Sequence, residues 1–346
     1  MKGFVKAGLI LILIVLLLSA CAPKEAVPSE RGISLKIVDS AGRIVEIPQP
    51  LERIVVLHTD ALWVIRGLGA GDKVVGVPKY IFKKEDIWKP FLDRENIGTC
   101  FKPNYESIIK VEPQAVIAYT KWPGSELEEK LEPAGIKVIR LDFYRPTEME
   151  REIKVLGLML GLEEEAEKYS RIWHEPLKLV RERTKKLKEK VEVYYESWSK
   201  WKSCGPGSGW HEMIEIAGGI NIAAKEPSAY PKLSPEYVLE ANPDVIVKTP
   251  SGKLMGYGKE DISPIKEIYN ELINRAGIRG TRASKEGRVY LISPELTGGA
   301  WKNIAILQLA KWFYPDLFKD INPASFHERM LRELYGLERK GIFTYP

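Results

Sequence analysis

The chain has 346 residues, 45% of them hydrophobic, which is enough to bury a large core but more than one core usually serves, so two domains are the expectation. The formal net charge of +5 is too small and too dispersed for a nucleic-acid surface, and that class is set aside. Charged residues of both signs make up 29% of the chain beside only three glutamines, a balance that leans towards heat adaptation and says nothing of function.

The N-terminus is the most specific stretch. A short basic start with Lys2 and Lys6 is followed by an unbroken apolar run from Ala7 to Leu18 and then by Ser19-Ala20-Cys21. The run is shorter than the roughly 20 residues of a membrane-spanning helix, and small residues stand before the cysteine, as a lipoprotein signal requires. Residues 1–20 are therefore expected to be cleaved, which removes two lysines and lowers the charge from +5 to +3. Cys21 is expected to carry the lipid, residues 21–31 to form a flexible tether, and the rest to sit on the outer face of the cell membrane or in the periplasm.

Further along, short β-branched runs alternate with helical patterns. Arg53 to Leu57, Val74 to Val77, Ala115 to Tyr119 and Val138 to Leu141 read as strands of a first lobe, residues 32–162. Val191 to Glu196, Val245 to Lys248 and Val289 to Ile292 read as strands of a second, residues 191–346. Helices fill most of the gaps, so the fold class is α/β: two lobes, each a mainly parallel sheet with flanking helices. Between them residues 163–190 read as one linking helix, on the order of 35–40 Å long at 1.5 Å per residue. Pro176 is expected to kink that helix, and Gly157 and Gly161 to break the helix before it. Phe326 to Leu337 reads as an amphipathic helix covering the second lobe.

A repeat supports two equivalent lobes. Glu106 precedes Pro113 and Ala115-Val116-Ile117 at the spacing by which Glu236 precedes Pro243 and Val245-Ile246-Val247. Asn104 and Ser234 are the expected N-caps of the two short helices, each with its glutamate near the positive end of the helix dipole.

With Cys21 set aside, Cys100 and Cys204 form one disulfide or remain two thiols, and spacing does not decide. We expect inert thiols, because a bridge between lobes would oppose their closure. Neither lies in a Cys-x-x-Cys or Cys/His cluster, and the four histidines are scattered, so no metal centre or catalytic residue is expected.

In these segments the sequence resembles the iron-siderophore and cobalamin class of ABC-transporter substrate-binding lipoproteins, whose lobes are joined by one helix. The likeness runs from about Ile37 to about Phe318. It includes Val38-Asp39-Ser40-Ala41-Gly42-Arg43, Gly67-Leu68-Gly69-Ala70 before Val75-Gly76-Val77, Asn104-Tyr105-Glu106, Gly219-Ile220-Asn221-Ile222 and Ser234-Pro235-Glu236. The resemblance implies a monomeric importer component, without enzymatic activity or cofactor, that delivers a small-molecule chelate to a permease and its ATPase. It also implies that Glu106 and Glu236 dock on permease arginines.

The ligand site is expected where the carboxyl ends of both sheets face each other. The loops there offer His58, Tyr80, Phe101, Lys102, Lys121, Trp122, Tyr144 and Arg145 from the first lobe, and Trp198, Trp201, Lys202, Trp210 and Trp301 from the second. Basic groups beside aromatic faces suit an anionic, flat-sided ligand, and a ferric siderophore is the leading expectation. Cobalamin or haem of the same class is the alternative, ahead of an exported enzyme on the same scaffold. No nucleophile elbow or phosphate loop supports the enzyme.

Overall fold

A computed structural model describes residues 34–346, and Leu35–Pro346 form one compact unit. The expected signal, the lipidation site Cys21 and the tether lie outside the described residues. Among the described residues no helix is long and apolar enough to cross a membrane.

Two five-stranded sheets organise the unit. In the first, Glu95–Asn96, Val74–Val77, Ile54–Val56, Ala115–Ala118 and Lys137–Arg140 lie side by side in that order, all parallel. In the second the order is Ile220–Asn221, Glu192–Glu196, Val245–Lys248, Val289–Ile292 and Thr344–Tyr345, parallel except for the last strand. The central strands are buried along their whole length, as parallel strands covered on both faces must be, which is why they read as unbroken apolar runs. In each sheet the chain order reverses beside the first strand, Ile54–Val56 or Glu192–Glu196. The carboxyl ends at that reversal form a crevice.

The repeat appears as structure. Tyr105–Lys110 and Pro235–Ala241 are short helices, capped by the side chains of Asn104 and Ser234, which accept from the amides of Ser107 and Tyr237. Each helix leads to a left-handed residue before proline, Glu112 (φ 46°) and Asn242 (φ 45°), and then to a central strand. Gln114 and Asp244 next bind backbone amides at the start of the neighbouring strand with their side chains, Gln114 those of Glu52 and Arg53, Asp244 that of Glu192.

Met149–Leu160 ends at Gly161, whose φ of 68° is open to glycine at little cost, so the break falls there and not at Gly157. The next helix, Glu163–Thr184, keeps Pro176 inside and ends earlier than residue 190. Its 22 residues extend about 33 Å. Tyr169, Trp173 and Val180 face inward, and Trp173 ties it to the second half: Nε1 donates to the Ala300 carbonyl (2.8 Å), and Asn303 donates to the Trp173 carbonyl (2.9 Å).

The C-terminal segment differs from the expected single cover. Pro323–Met330 is α-helix, Leu331–Tyr335 is a π turn, and Thr344–Tyr345 becomes the antiparallel edge of the second sheet. Tyr335 reaches the first lobe instead of stopping on the second. Its hydroxyl meets that of Tyr169 (3.1 Å), its ring lies edge-on to Trp63 (5.0 Å), and Arg66 donates to its carbonyl (3.3 Å).

Candidate functional site

The carboxyl ends of both sheets bound a cavity of about 650 Å³. From the first sheet come Asp60, at the start of the helix Thr59–Gly67, and Tyr144. From the second come Trp198 after the strand Glu192–Glu196, Thr249, Pro250 and Ser251 after Val245–Lys248, and Thr297, Gly298 and Lys302 beyond Val289–Ile292. Trp210 and Tyr230 complete the aromatic wall. A second cavity of about 320 Å³ adjoins it and shares Asp60, Gly252, Pro294 and Gly298.

Buried polar groups hold these loops. Glu152 accepts from the amides of Asp142 (2.7 Å) and Phe143 (2.6 Å), which sets the turn presenting Tyr144. Arg140 donates to the carbonyls of Tyr119 and Pro123 (both 2.7 Å) and to Glu128 (2.6 Å), fixing the loop that carries Tyr119 and Trp122. Across the crevice, Arg145 Nε donates to Glu212 (2.7 Å), and the Thr147 hydroxyl donates to the other oxygen of the same carboxylate (2.8 Å). Gly209 passes so close to Tyr144 that a Cβ there would lie 2.2 Å from the Tyr144 carbonyl oxygen.

The charge in the larger cavity is balanced. Its two charged lining residues are Asp60 and Lys302. Burial raises the Asp60 carboxyl, against the opposing pull of Lys302 and of the Tyr119 hydroxyl that donates to it (2.9 Å). Burial lowers Lys302 to about 8, against Asp60 and Glu212, while its Nζ donates to the Thr297 carbonyl (2.6 Å). Trp210 donates to the same carbonyl from Nε1 (3.2 Å), stacks on Tyr195 (5.4 Å between centroids) and meets Trp198 edge-on (5.4 Å).

Of the residues expected at the site, Tyr144, Trp198 and Trp210 line the larger cavity, and Tyr80 and Trp301 line the smaller one. His58 does not reach either. It is the N-cap of Thr59–Gly67, 2% exposed, with Nδ1 accepting from the Ala61 amide, Nε2 on the Leu141 carbonyl and its ring stacked on Tyr119. Both ring nitrogens are thus engaged within the protein, and burial lowers the pKa to about 3, so it serves as a neutral structural cap. Trp201 is turned away as well: it packs in the second lobe's own core, beside Tyr194 and under the Arg275 guanidinium. The Lys202 backbone forms an isolated antiparallel β-bridge with Lys232, Lys102 and Lys121 are exposed and line neither cavity, and Arg145 is already paired with Glu212. Phe101 and Trp122 form an outer rim, connected ring to ring through Tyr119 to Tyr144. Lys102, Lys121, Arg145 and Lys202 therefore line neither cavity, whose basic groups are Lys302 and Lys84 instead, because strand-end loops point to either side and the sequence does not reveal which.

Sequence reasoning missed Asp60, Tyr230, Thr249 and Lys302. Asp60 had a signal, an acidic residue two positions after a strand-end histidine. Lys302 directly follows Trp301, which was expected at the site. Cys100 and Cys204 are both buried and free, and burial raises each thiol, Cys100 to about 11, as inert thiols require.

Residues 54–296 match the model of the periplasmic binding protein family. An uncharacterised ABC transporter substrate-binding lipoprotein of Bacillus subtilis, YvrC, is 26% identical over 82% of this chain and 87% of its own length. The vitamin B12-binding protein of Vibrio parahaemolyticus is 26% identical over 57% of this chain and 70% of its own. The crystal structure of a TroA-like periplasmic binding protein, FepB, from Veillonella parvula superposes with a TM-score of 0.77 at 23% identity, covering 90% of this chain and 99% of that one. The chain belongs to the periplasmic binding protein family. It is a substrate-binding protein of an ABC transporter and not an enzyme.

Proposed function

We propose that this protein captures a large, flat, nearly neutral metal chelate of the corrinoid type and delivers it to a membrane permease and its ATPase. The observation that carries the reading is the 650 Å³ cavity, walled by Tyr144, Trp198, Trp210 and Tyr230, with one carboxylate balanced by one amine. Aromatic walls favour a flat ligand through stacking. A multiply anionic ferric siderophore needs an excess of positive charge, and the lysines expected to supply it lie outside the cavity. The siderophore keeps one supporting group, the Lys302 amine. The likeness to a protein named for vitamin B12 binding supports the corrinoid.

Calorimetric titration of the detergent-solubilised full chain with cobalamin, haem and a panel of ferric siderophores tests the proposal. Saturable submicromolar binding of cobalamin is expected. Binding of a ferric siderophore with none of cobalamin would refute it.

Delivery is proposed to use Glu106 and Glu236, each exposed in the first turn of its helix at matching positions of the repeat. Both are free to meet cationic partners. The protein acts as a monomer held to the outer face of the membrane through Cys21. Glu106→Lys combined with Glu236→Lys is expected to abolish uptake in cells and leave calorimetric ligand affinity unchanged. Normal uptake by the double variant would remove the docking role.

A further inference from the structure

The first lobe opens with an antiparallel hairpin, Ser34–Val38 and Ile44–Pro48, that lines neither cavity. The Asp39 amide donates to the Arg43 carbonyl (3.0 Å), so Val38 and Ile44 are the next opposed pair. Ile37 and Ile47 are buried in the core, whereas Val38 and Ile44 are 54% and 74% exposed, and Ile44 is the most exposed large hydrophobic side chain among the described residues. Phe101 and Trp198, the next most exposed, belong to the rim and wall of the crevice. Behind the pair Lys36 and Glu46 balance each other (4.0 Å).

The tip that carries the pair is rigidly mounted. Asp39 accepts from the amides of Ala41 (3.0 Å) and Arg43 (2.9 Å), and the Ser40 amide donates to the Arg140 carbonyl (2.7 Å). The Arg43 guanidinium donates to Glu128 (2.6 Å) and to the Val138 carbonyl (2.9 Å). A tip held in this way does not turn its apolar pair inward, so water leaves the pair only when another surface covers it. Two observations point to the same surface. Ser34 follows Cys21 so closely that, even at full extension, it stays within about 45 Å of the lipid, a range at which tethering gives an effective concentration of about millimolar. The helix Glu126–Leu131 also joins the hairpin to the docking helix: Glu128 holds Arg43, and Glu126 accepts from the hydroxyl of Tyr105 (2.8 Å), the neighbour of Glu106. A permease that meets Glu106 brings its bilayer alongside the hairpin.

We propose that Val38 and Ile44 form a membrane-contact point, seated in the boundary between headgroups and acyl chains of the bilayer that holds Cys21. This rests on the anchor and docking readings above and adds which face of the first lobe is turned to the lipid. The contact is apolar and needs no anionic lipid, because the charges beside it are paired.

The test uses the full lipidated chain in phosphatidylcholine vesicles, with the lipid on Cys21 checked by mass spectrometry. An environment-sensitive dye is attached at Ile44→Cys and, as a control, at Lys266→Cys, an exposed position of the second lobe. Cys100 and Cys204 are buried, and the chain without an introduced cysteine serves as the blank. At position 44 the emission is expected to shift to shorter wavelength, relative to the soluble Cys21→Ser chain with the same dye, and to be quenched by nitroxide-bearing lipid. Position 266 is expected to show neither effect. Val38→Glu in the labelled chain is expected to abolish both, and dye at Val38→Cys gives an independent reading should Ile44→Cys not fold by circular dichroism. Unshifted emission in a chain whose lipid is verified, or a shift that survives Val38→Glu, overturns the contact and leaves the anchor standing. A shift that grows with protein density and escapes nitroxide quenching places a second copy on this face and overturns the contact as well. Cys21 without lipid overturns the anchor and the contact together.

Discussion

Replacing His58 with asparagine separates a structural cap from a ligand. Asparagine retains an acceptor for the Ala61 amide but loses the ring stack on Tyr119 and the contact with the Leu141 carbonyl. An aromatic pair and one net hydrogen bond together contribute about 1–3 kcal/mol, the expected loss at pH 7. The pH dependence is more diagnostic. Burial lowers His58 from 6.5 to about 3, so the unfolded chain takes up a proton there before the folded one does. Its contribution to stability is therefore full above pH 6.5 and is lost as pH falls from there towards 3, at about 1.4 kcal/mol per pH unit. His327, also lowered to about 3 by burial, adds a slope of the same sign, whereas burial raises Asp60, Asp142 and Glu152, which act in the opposite sense. Those terms are common to wild type and variant and drop out of the difference. Urea unfolding followed by tryptophan fluorescence at pH 7, 6 and 5 should show the wild-type advantage shrinking by about 2 kcal/mol over the range. Two curves that stay parallel in pH would refute the neutral buried imidazole. A loss of ligand affinity beyond about tenfold at pH 7, in a folded variant, would return His58 to the binding site.

Trp210→Ala removes a wall of the larger cavity together with its contacts to Tyr195 and Trp198, and is expected to weaken ligand binding about 30-fold or more by calorimetry. Trp210→Phe, which keeps a ring but not the bond to the Thr297 carbonyl, should lose less. Gly209→Ala places a methyl group against the Tyr144 carbonyl and forces the two walls of the crevice apart; a thermal destabilisation of about 1–3 kcal/mol with weaker ligand binding is expected. Glu196 is fully buried and holds Lys248 (2.7 Å) and Arg275 (2.6 Å), so Glu196→Ala should cost about 3–5 kcal/mol in urea unfolding. Burial alone would raise that carboxyl, but Lys248 and Arg275 outweigh it and hold it below 4.5. Its contribution is thus present above that pH and is lost as pH falls through the lower, folded-state value.

The strands were legible because parallel strands covered on both faces demand uninterrupted apolar runs, and Val245 to Lys248 and Val289 to Ile292 were located to the residue. The repeat was legible because capping, a left-handed residue and proline must recur in fixed order wherever the same helix-to-strand turn is built. The short strands Glu95–Asn96, Ile220–Asn221 and Thr344–Tyr345 were not, since two residues carry no periodicity. The site was read in position more than in identity. Trp198 and Trp201 stand three residues apart after one strand, yet one lines the cavity and the other packs in the core, because Trp201 takes a φ of 64° that turns the chain. Lysines were overcounted for the same reason, and Asp60 was overlooked because an acidic residue opening a helix usually serves the helix alone.

The position of Tyr335 bears on the order in which the molecule assembles. The aromatic cluster around Trp63 in the helix Thr59–Gly67 closes only when the hydroxyl of Tyr335 has met Tyr169 and Arg66 has found its carbonyl. The Arg66 contact joins residues 269 apart and the Tyr169 contact residues 166 apart, the kind of loop closure that slows folding. A polypeptide emerging N-terminus first cannot close the cluster around Trp63 until residue 335 has followed, so this early-synthesised part of the core waits on a late one.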